Sequence, residues 1–349
     1  MLVSFIIIAY NAEKTLDGLF QNLFEQDYEH QNMELILVDS ASTDSTAIMM
    51  QNFCKGFGPE FKRVCLLKNP KRTLPCGWNI ALGEARGDVV IRVDAHAVLP
   101  GNFISLSVKC LLEHNEDICG GRVISIADED KPWQKILLQT ENSSFGCGIA
   151  RFRQGETRDY VNTLAYAAYK RKVFETVGLF DERLDRTEDN EMHYRMRQAG
   201  YRFFFDPQIQ SYRKSRNTLK KLIAQKYLNG FWIGLTLGVS PKCFSLYHFV
   251  PFAFLICIIL SGILALLGIP QPAWIIWGGY LGAAVPAAVL CREKRLSFSV
   301  FAVPLIFLLL HLSYGMGTLA GVLGMPAWKK KHAQSGNCPE PARDIKEIL

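Results

Sequence analysis

The chain has 349 residues, and its 39 Lys and Arg against 33 Asp and Glu give a formal net charge of +6. This excess is too small to indicate a nucleic-acid-binding protein, but it suits a protein that lies on an anionic membrane surface. The 10 cysteines include no Cys-x-x-Cys pair, and no Cys/His set has zinc-finger spacing, so we expect reduced structural thiols.

Strand and helix patterns alternate over roughly the first 215 residues. The apolar run Val3–Ala9 is typical of a strand covered on both faces, and Asn11 is placed to cap the helix that follows. Further strands are predicted at Glu34–Val38, Arg63–Lys68 and Val89–His96, with helices near Ala12–Gln26, after Ser40–Thr46 and near Pro75–Arg86. This order predicts an α/β domain with a mostly parallel sheet and helices on both faces.

Two acidic residues stand where predicted strands end. Asp39 follows the second strand, and Asp94 lies near the end of the fourth. A single Asp at a strand end is more often a turn or helix cap, but two carboxylates at the ends where parallel sheets bind ligands favour a site. Because side chains two apart on a strand point the same way, His96 is expected to face this site beside Asp94, and the pair could hold a divalent cation.

Three common site motifs are absent from the chain. It has no dinucleotide-binding G-x-G-x-x-G, no phosphate-binding G-x-x-x-x-G-K-[ST] and no nucleophile elbow G-x-S-x-G. A nucleotide bound to this domain would therefore be held by carboxylates, a metal ion and loop amides.

A later acidic pair, Glu188 and Asp189, precedes a helix predicted near Asn190–Ala199 and ended by Gly200. The helix dipole favours acidic residues at this end, so the pair could be purely structural. A carboxylate fixed at a helix start is equally well placed to act as a general base. Both interpretations stay open on the pattern alone.

The C-terminal part of the chain lacks Asp, Glu, Lys and Arg over two long stretches, Cys243–Leu290 and Leu296–Trp328. About 20 apolar residues span a bilayer as a helix. We therefore predict about three transmembrane helices, near Phe249–Ile269, Trp274–Leu290 and Phe298–Leu323. A buried helical core of a large soluble domain is the weaker alternative, since such a core rarely lacks charge on every face.

The basic residues give a mixed signal about membrane orientation. Lys and Arg favour the cytoplasmic side, so Arg292-Glu-Lys-Arg295 inside would put the N-terminal domain in the cytoplasm. Three spans would then place Lys329-Lys-Lys331 outside, against the rule, unless one segment is re-entrant or interfacial. We predict an interfacial amphipathic helix at Thr218–Gly230, and an ordinary packed surface helix is nearly as well supported.

Six motifs, in this order and spacing, resemble those of the family 2 inverting glycosyltransferases, which have the nucleotide-binding, Rossmann-like GT-A fold. They are Ile8-Ala-Tyr-Asn11, Val38-Asp-Ser-Ala-Ser-Thr-Asp44, Ala85-Arg-Gly-Asp88, Arg92-Val-Asp-Ala-His96, Gly178-Leu-Phe-Asp181 and Glu188-Asp189. Two further segments, Ser144-Phe-Gly-Cys-Gly148 and Gln225…Gly230…Trp232, resemble the membrane-bound exopolysaccharide subgroup and its succinoglycan-type glucosyltransferases.

The resemblance implies a role for each matched residue. Asp39 would hydrogen-bond the nucleotide base, typically uracil, Asp94 would contact the ribose and the metal-bound diphosphate, and Glu188 would help to bind the nucleotide sugar. Asp189 corresponds to the base that removes the acceptor's hydroxyl proton. His96 stands where the family has a second Asp that ligates Mg²⁺ or Mn²⁺, and an imidazole there favours Mn²⁺ or a weaker metal dependence.

Two arginines complete the predicted donor site. The family's Gln-x-x-Arg-Trp motif of processive polymerases is absent, so we expect one sugar to be added per acceptor. Arg213 or Arg216, in the nearby Tyr212-Arg-Lys-Ser-Arg216, is then the candidate for contacting the diphosphate.

The main hypothesis is a membrane-anchored, cytoplasm-facing inverting glycosyltransferase of the bacterial inner membrane. It would move a hexose from a nucleotide sugar to a lipid-linked glycan during exopolysaccharide assembly. The alternatives are a nucleotide-sugar:polyprenyl-phosphate glycosyltransferase and a non-catalytic nucleotide-sugar-binding scaffold. The predicted ranges are 1–215 for the GT-A domain, 216–242 for the interfacial linker, 243–328 for the spans and 329–349 for a polar tail. The sequence indicates no oligomeric state.

Overall fold

The structure is a computed structural model that describes residues 1–127, 131–146, 155–215, 218–291 and 299–333. Within this part, the chain divides into two compact units, one of residues 1–125 and 151–214, and one of residues 126–150 and 215–336. Residues 126–150 belong to the second unit, although the sequence analysis placed them in the GT-A domain of residues 1–215. The domain limits themselves remain a prediction. The basic cluster Arg292-Glu-Lys-Arg295 and residues 334–349 lie outside the described residues.

The first unit is built on one sheet with helices between its strands. The strands are β1 Val3–Ala9, β2 Met33–Asp39, β3 Arg63–Lys68, β4 Val89–Asp94, β5 Ala97–Val98, β6 Ile118–Ile126, β7 Asp159–Val161, β8 Ala168–Lys170 and β9 Phe203–Lys214. The helices are α1 Leu16–Phe24, α2 Thr46–Phe57, α3 Leu74–Glu84, α4 Phe103–Glu113, α6 Lys172–Val177 and α7 Glu188–Gln198, while α5 belongs to the second unit.

The described strands follow the order β3-β2-β1-β4-β8-β6-β9-β5, and β7 pairs with β9. The pairs β3–β2, β2–β1 and β1–β4 are parallel, as predicted from the alternating strands and helices. The pairs that β8 forms with β4 and β6, and that β9 forms with β5 and β7, are antiparallel. The sheet is therefore mixed, with its parallel half made by the N-terminal strands.

Side-chain alternation gives the sheet a separate core on each face. In β1, Phe5 and Ile7 pack among residues of α1, α2 and α4, whereas Ile6 and Ile8 pack among residues of α3, α6 and α7. All four side chains are buried, which explains why β1 reads as a continuous apolar run.

Two predicted boundaries are wrong, each for a local reason. The first helix begins at Leu16, after Thr15, because Asn11 does not cap it: the Asn11 side-chain oxygen accepts a hydrogen bond from the Thr43 backbone instead. Strand β4 ends at Asp94, and Ala95 and His96 form a turn before β5. The alternation that linked His96 to Asp94 therefore stops before His96.

The second unit is helical. It contains α5 Pro132–Asn142, α8 Leu219–Thr236, α9 Val250–Leu266, α10 Gln271–Leu290 and α11 Ser299–Ala333. Three stretches, Leu246–Leu266, Gln271–Leu290 and Ala302–His332, are helices long and apolar enough to cross a membrane. They overlap the three predicted spans, and the third continues to His332, past its predicted end at Leu323.

Helix α8 packs lengthwise against α11 through glycines. A Cβ atom on Gly230 or Gly234 of α8 would collide with backbone atoms around Thr318, and one on Gly317 or Gly321 of α11 would collide with backbone around Phe231. Pairs of glycines four apart on both helices allow this close approach. The structure thus shows what α8 packs against, whereas its position at a membrane interface, or as an ordinary surface helix, remains a prediction.

Replacing Gly317 with Ala should destabilise the helical unit, since the new methyl group would collide with the carbonyl of Tyr227. We expect the free energy of unfolding to fall by about 1–3 kcal/mol, as for other over-packed sites. The matched control is Gly324→Ala on the same helix, which has no atom within 4 Å of the added Cβ. Thermal unfolding of both variants in detergent measures the difference, and equal midpoints would contradict the packing.

Candidate functional site

The site is centred on the carboxyl ends of β2, β1 and β4. Ala9, the last residue of β1, pairs with Asp39, and Ile8 pairs with Asp94, so the two acidic residues end the strands on either side of β1. The structure thus brings both predicted carboxylates to one edge of the sheet. Asp39 is buried, and its Oδ1 accepts a hydrogen bond from the Ser42 amide at 3.2 Å.

The loops that follow β1 and β2 are joined to each other. The side-chain oxygen of Asn11 accepts a hydrogen bond from the Thr43 backbone N–H at 2.8 Å, and the Asn11 backbone N–H donates one to Ser42 Oγ at 3.1 Å. Asn11 has φ 49°, a left-handed conformation that Asn tolerates better than most residues. These contacts fix the loop next to Asp39 on the edge where a ligand would approach.

A buried arginine lies beneath Asp94. Arg92, two residues earlier on β4, donates from Nη2 to Asp94 Oδ1 at 3.3 Å, and its guanidinium lies 4.9 Å from the centre of the Trp78 ring. Arg92 is 7% exposed, and its Nη1 has no hydrogen-bond partner among the described residues. A buried guanidinium needs negative charge nearby, and the carboxyl groups of this site supply it.

Asp94 is held on both sides. Its Oδ2 accepts a hydrogen bond from the Tyr166 hydroxyl at 2.9 Å. Tyr166 adopts φ 52°, a strained backbone conformation of a kind that is concentrated at functional sites. Burial raises the pKa of the Asp94 carboxyl, but Arg92, His96 and the Tyr166 hydroxyl outweigh it, so the pKa lies below the ordinary value. Asp94 is therefore a carboxylate at neutral pH.

Glu188 and Asp189 begin α7, and their charges interact with Arg92. Burial, then Asp189, raise the pKa of Glu188 well above the ordinary value. Its Oε2 is buried without a hydrogen-bond partner among the described residues. Burial also raises the pKa of Asp189, although Arg92 opposes the rise.

A layer of aromatic and hydroxyl groups supports α7 near Asp189. His193, one turn after Asp189, bonds through Nδ1 to Thr163 Oγ1 at 2.8 Å and through Nε2 to the Tyr169 hydroxyl at 2.9 Å. Burial lowers the His193 pKa to about 3, so the ring is neutral at physiological pH. These bonds join the second turn of α7 to β8 and to the segment before it.

His96 is exposed in the turn after β4, and its charge contributes to the low pKa of Asp94. An ionised Asp94 whose side chain is 33% exposed, with one imidazole nearby, offers two protein ligands. Divalent cations at phosphate sites often take only one or two protein side chains and complete their shell with water and substrate phosphate oxygens. The residues present therefore fit a cation shared with a diphosphate.

Arg213 also belongs to this region. It lies at the end of β9, where it pairs with Ala97 of β5, and its charge helps to lower the Asp94 pKa. Its Nε donates to Ser125 Oγ at 2.9 Å. Arg216, the other predicted arginine, lies outside the described residues.

Sequence reasoning missed Arg92, Tyr166 and Trp78 as parts of this site. Arg92 could have been found, because a charged residue inside the apolar strand Val89–Asp94 stands two positions before Asp94 and shares its face. Tyr166 and Trp78 carry no such signal, since their contacts join segments that are distant in the chain.

Comparisons with known proteins point to one family. The profile of glycosyl transferase family 2 matches residues 4–178. A Methanococcus voltae protein, dolichyl N-acetyl-alpha-D-glucosaminyl phosphate 3-beta-D-2,3-diacetamido-2,3-dideoxy-beta-D-glucuronosyltransferase, is 25% identical over 92% of this chain and 97% of its own length. The succinoglycan biosynthesis protein ExoA of Rhizobium meliloti is 25% identical over 69% of this chain and 76% of its own.

One solved structure resembles the fold over most of both chains. The mannosyltransferase PcManGT of Pyrobaculum calidifontis, in complex with GDP-Man and Mn²⁺, aligns with a TM-score of 0.55 at 19% identity. The alignment covers 93% of this chain and 86% of that one. At this identity the likeness concerns the fold, and it agrees with the GT-A architecture expected from the sequence motifs.

Proposed function

Because the chain belongs to glycosyl transferase family 2, we propose that it is a membrane-anchored inverting enzyme that moves a hexose from a nucleotide sugar to a lipid-linked glycan. The observation that carries this proposal is the group of Arg92, Asp94 and Asp189 at the carboxyl end of β4. It combines an ionised carboxylate for the donor with a second carboxyl group whose pKa burial raises above the ordinary value, a direction that suits a general base.

The donor is proposed to lie across the ends of β2, β1 and β4. Asp39, with one oxygen held by the Ser42 amide, would accept a hydrogen bond from the nucleotide base, and a UDP-sugar is the donor we propose. Asp94 and Glu188 would line the sugar–diphosphate part, and Arg213 would add positive charge beside it. A divalent cation held by Asp94 and His96 would supply further charge to the leaving diphosphate.

The acceptor is proposed to be a glycan on a membrane lipid. The Methanococcus relative is named for a dolichyl phosphate-linked sugar and the Rhizobium relative for succinoglycan biosynthesis, which supports a lipid-linked acceptor and a role in exopolysaccharide assembly. Three helices able to span a membrane would hold the enzyme where such a lipid lies. An inner-membrane, multi-pass location with a cytoplasmic catalytic domain follows from this proposal.

In the proposed reaction, Asp189 accepts the proton of the acceptor hydroxyl, and that oxygen attacks the anomeric carbon of the donor. The carbon–oxygen bond to the diphosphate breaks with its electrons on the diphosphate, and the configuration inverts. Arg92 touches neither substrate in this scheme; it is a positioning residue whose charge lowers the pKa of both Asp189 and Asp94.

The decisive experiment offers radiolabelled UDP- and GDP-sugars to the purified protein with membrane lipids, in Mg²⁺ and Mn²⁺ in parallel. Transfer to a lipid that already carries sugar supports the proposal. A product with one sugar on a polyprenyl phosphate, labile to mild acid, would instead identify the runner-up enzyme. Donor binding without transfer to any lipid would leave only the scaffold.

Replacing Asp94 with Asn should weaken donor binding, because the site loses its ionised ligand while the Tyr166 contact is retained. We expect the donor dissociation constant to rise by at least about tenfold, the scale of a charge-assisted hydrogen bond. Calorimetric titration with the nucleoside diphosphate in Mn²⁺ measures it. Asp88→Asn, at the opposite end of β4, is the control, and equal affinities for both variants would contradict the assignment.

Replacing His96 with Asp should change the metal preference. An oxygen ligand in place of imidazole suits Mg²⁺, so the ratio of Mg²⁺- to Mn²⁺-supported activity is expected to increase. Transfer rates measured over a concentration series of each ion give this ratio. An unchanged ratio would mean that His96 does not contact the cation.

A further inference from the structure

A second set of metal-ligand side chains lies in the first unit, on the other face of the sheet from Arg92. Cys110 and His114 are four residues apart at the end of α4, so both point from one face of the helix. Asp206 on β9 faces them, and the possible ligand atoms of the three residues all lie within 4.8 Å of one another. Among the described residues, no other group of three meets this criterion.

Cys119 on β6 lies beside this set. Its thiol forms a hydrogen bond with the thiol of Cys110. Its Sγ also donates a hydrogen bond to the Ser107 carbonyl at 3.2 Å. Two thiols, one imidazole and one carboxyl group thus come together from α4, β6 and β9.

The surroundings suit a structural metal. Cys110, Cys119 and Asp206 are buried, and His114 packs against Phe204 with ring centres 4.6 Å apart. Asp206 accepts hydrogen bonds from Arg158 Nε at 2.8 Å and from the Gln208 amide at 2.9 Å, contacts that orient its carboxylate. Outer contacts of this kind commonly fix metal ligands in place.

Charge and geometry favour zinc over harder cations. Two thiolates and one carboxylate balance Zn²⁺ together with the Arg158 guanidinium, so the occupied site would be neutral. Thiolate and imidazole ligands are typical of zinc, and Mg²⁺ or Ca²⁺ would require oxygen ligands. Tetrahedral zinc with these bonds separates neighbouring ligand atoms by about 3.6 Å. The ligand atoms of Cys110, His114 and Asp206, which lie within 4.8 Å of one another, would therefore have to approach by at most roughly 1 Å.

We propose that Cys110, His114, Cys119 and Asp206 bind one zinc ion, which fastens the end of α4 to β6 and to the start of β9. Strand β9 runs on from Asp206 to Arg213, next to Asp94. The ion therefore stabilises the strand that carries Arg213 to the edge of the sheet. This set shares no residue with the cation site proposed at Asp94.

The test measures zinc bound to the full-length protein purified in detergent. Zinc is determined by mass spectrometry after growth in zinc-supplemented medium and desalting, and Co²⁺ replacement reports thiolate ligands by its charge-transfer absorption. We expect one zinc per chain and a thiolate–cobalt band. Cys110→Ser and His114→Gln should weaken Zn²⁺ binding by at least about 100-fold, because even outer-sphere losses cost about 10–100-fold.

Control variants test whether zinc binding is specific to these four ligands. Cys65→Ser, another partly buried thiol of the same unit, and His96→Ala, at the Asp94 site, should both keep the zinc. His114 is half-exposed at a helix end, so His114→Gln should fold even if the Cys110 variant does not. Zinc should also raise the thermal unfolding midpoint of the wild type and leave that of His114→Gln unchanged.

Several results would overturn the proposal. Zinc content that is the same in His114→Gln and in the wild type would exclude this ligand set. A wild-type protein without bound zinc and without a thiolate–cobalt band would exclude the site. A Cys110–Cys119 disulfide, found by peptide mass in protein purified without reductant and zinc-free, would do the same, because zinc requires both thiolates.

Discussion

Replacing Asp189 with Asn is expected to lower kcat by about 10²–10⁴-fold, the usual contribution of a general base, while donor affinity is retained. The amide has nearly the same shape as the carboxylate but cannot accept the proton of the acceptor hydroxyl. Single-turnover transfer from radiolabelled donor measures the rate, and titration with the nucleoside diphosphate measures the affinity.

The pH dependence gives this prediction a second readout. A base works only when it is ionised, so the rate should rise with pH through a pKa above the ordinary value of an aspartate, about 3.9. Burial is the cause of this rise. Glu188 and Asp189 interact, so the apparent pKa belongs to the pair. In Asp189→Asn this rise of the rate with pH, the acid limb of the pH–rate profile, should disappear.

The control for Asp189 is Asp185→Asn, which removes a nearby carboxylate from the loop before α7. Asp185 affects the pKa of Glu188, and it is absent from the interactions that shift Asp189. It should keep most of the activity. Near wild-type turnover in Asp189→Asn, or equal losses in both variants, would show that another group is the base.

Replacing Arg92 with Met is the second large effect. Arg92 opposes the burial that raises the Asp189 pKa, and it is the largest favourable charge on Asp94. Without it, both carboxyl groups become harder to ionise, so the acid limb of the rate should move to higher pH. The variant should also lose about 1–3 kcal/mol of stability, because the partly exposed Asp94 loses its charged hydrogen-bond partner.

Two further variants separate a positioning role from a merely structural one. Arg92→Lys keeps a positive charge and should return the acid limb toward its wild-type pH, even if stability is not fully restored. Arg63→Met breaks another ion pair of the same unit, with Glu34 and Glu84, and should lower stability without moving the limb. An acid limb in Arg92→Met that stays at the wild-type pH would refute the electrostatic role.

The apolar C-terminal helices and the parallel half of the sheet could be predicted because their signals are local. The uncharged stretch Cys243–Leu290 needs only its composition to indicate spanning helices, and Val3–Ala9 needs only its apolar run to indicate a covered strand. Asp39 and Asp94 followed from the same patterns, since the ends of parallel strands meet at one edge. The antiparallel strands β7 and β8, three residues each, are too short to give such a signal.

The partner of Asp94 was decided by the folded chain. The alternation of side chains along a strand predicted that His96 would lie beside Asp94. The strand ends at Asp94, however, so the residue on the same face of β4 as Asp94 is Arg92. The raised pKa of Asp189 likewise depends on burial and on Arg92 and Asp94, which are distant in sequence. A motif can name these residues, but only packing sets their charge state.

The sequence by itself determined a strand–helix domain with acidic residues at its strand ends, followed by three apolar helices, and its motifs identified the family. Tertiary structure decided which charges balance one another and which ligands meet. The spacing of Cys110 and His114 does not by itself indicate a metal site. Only the fold brings the third side chain, Asp206 of β9, to within 4.8 Å of them. Hydropathy and strand period act over a few residues, whereas burial, pKa and ligand distances depend on contacts between distant segments.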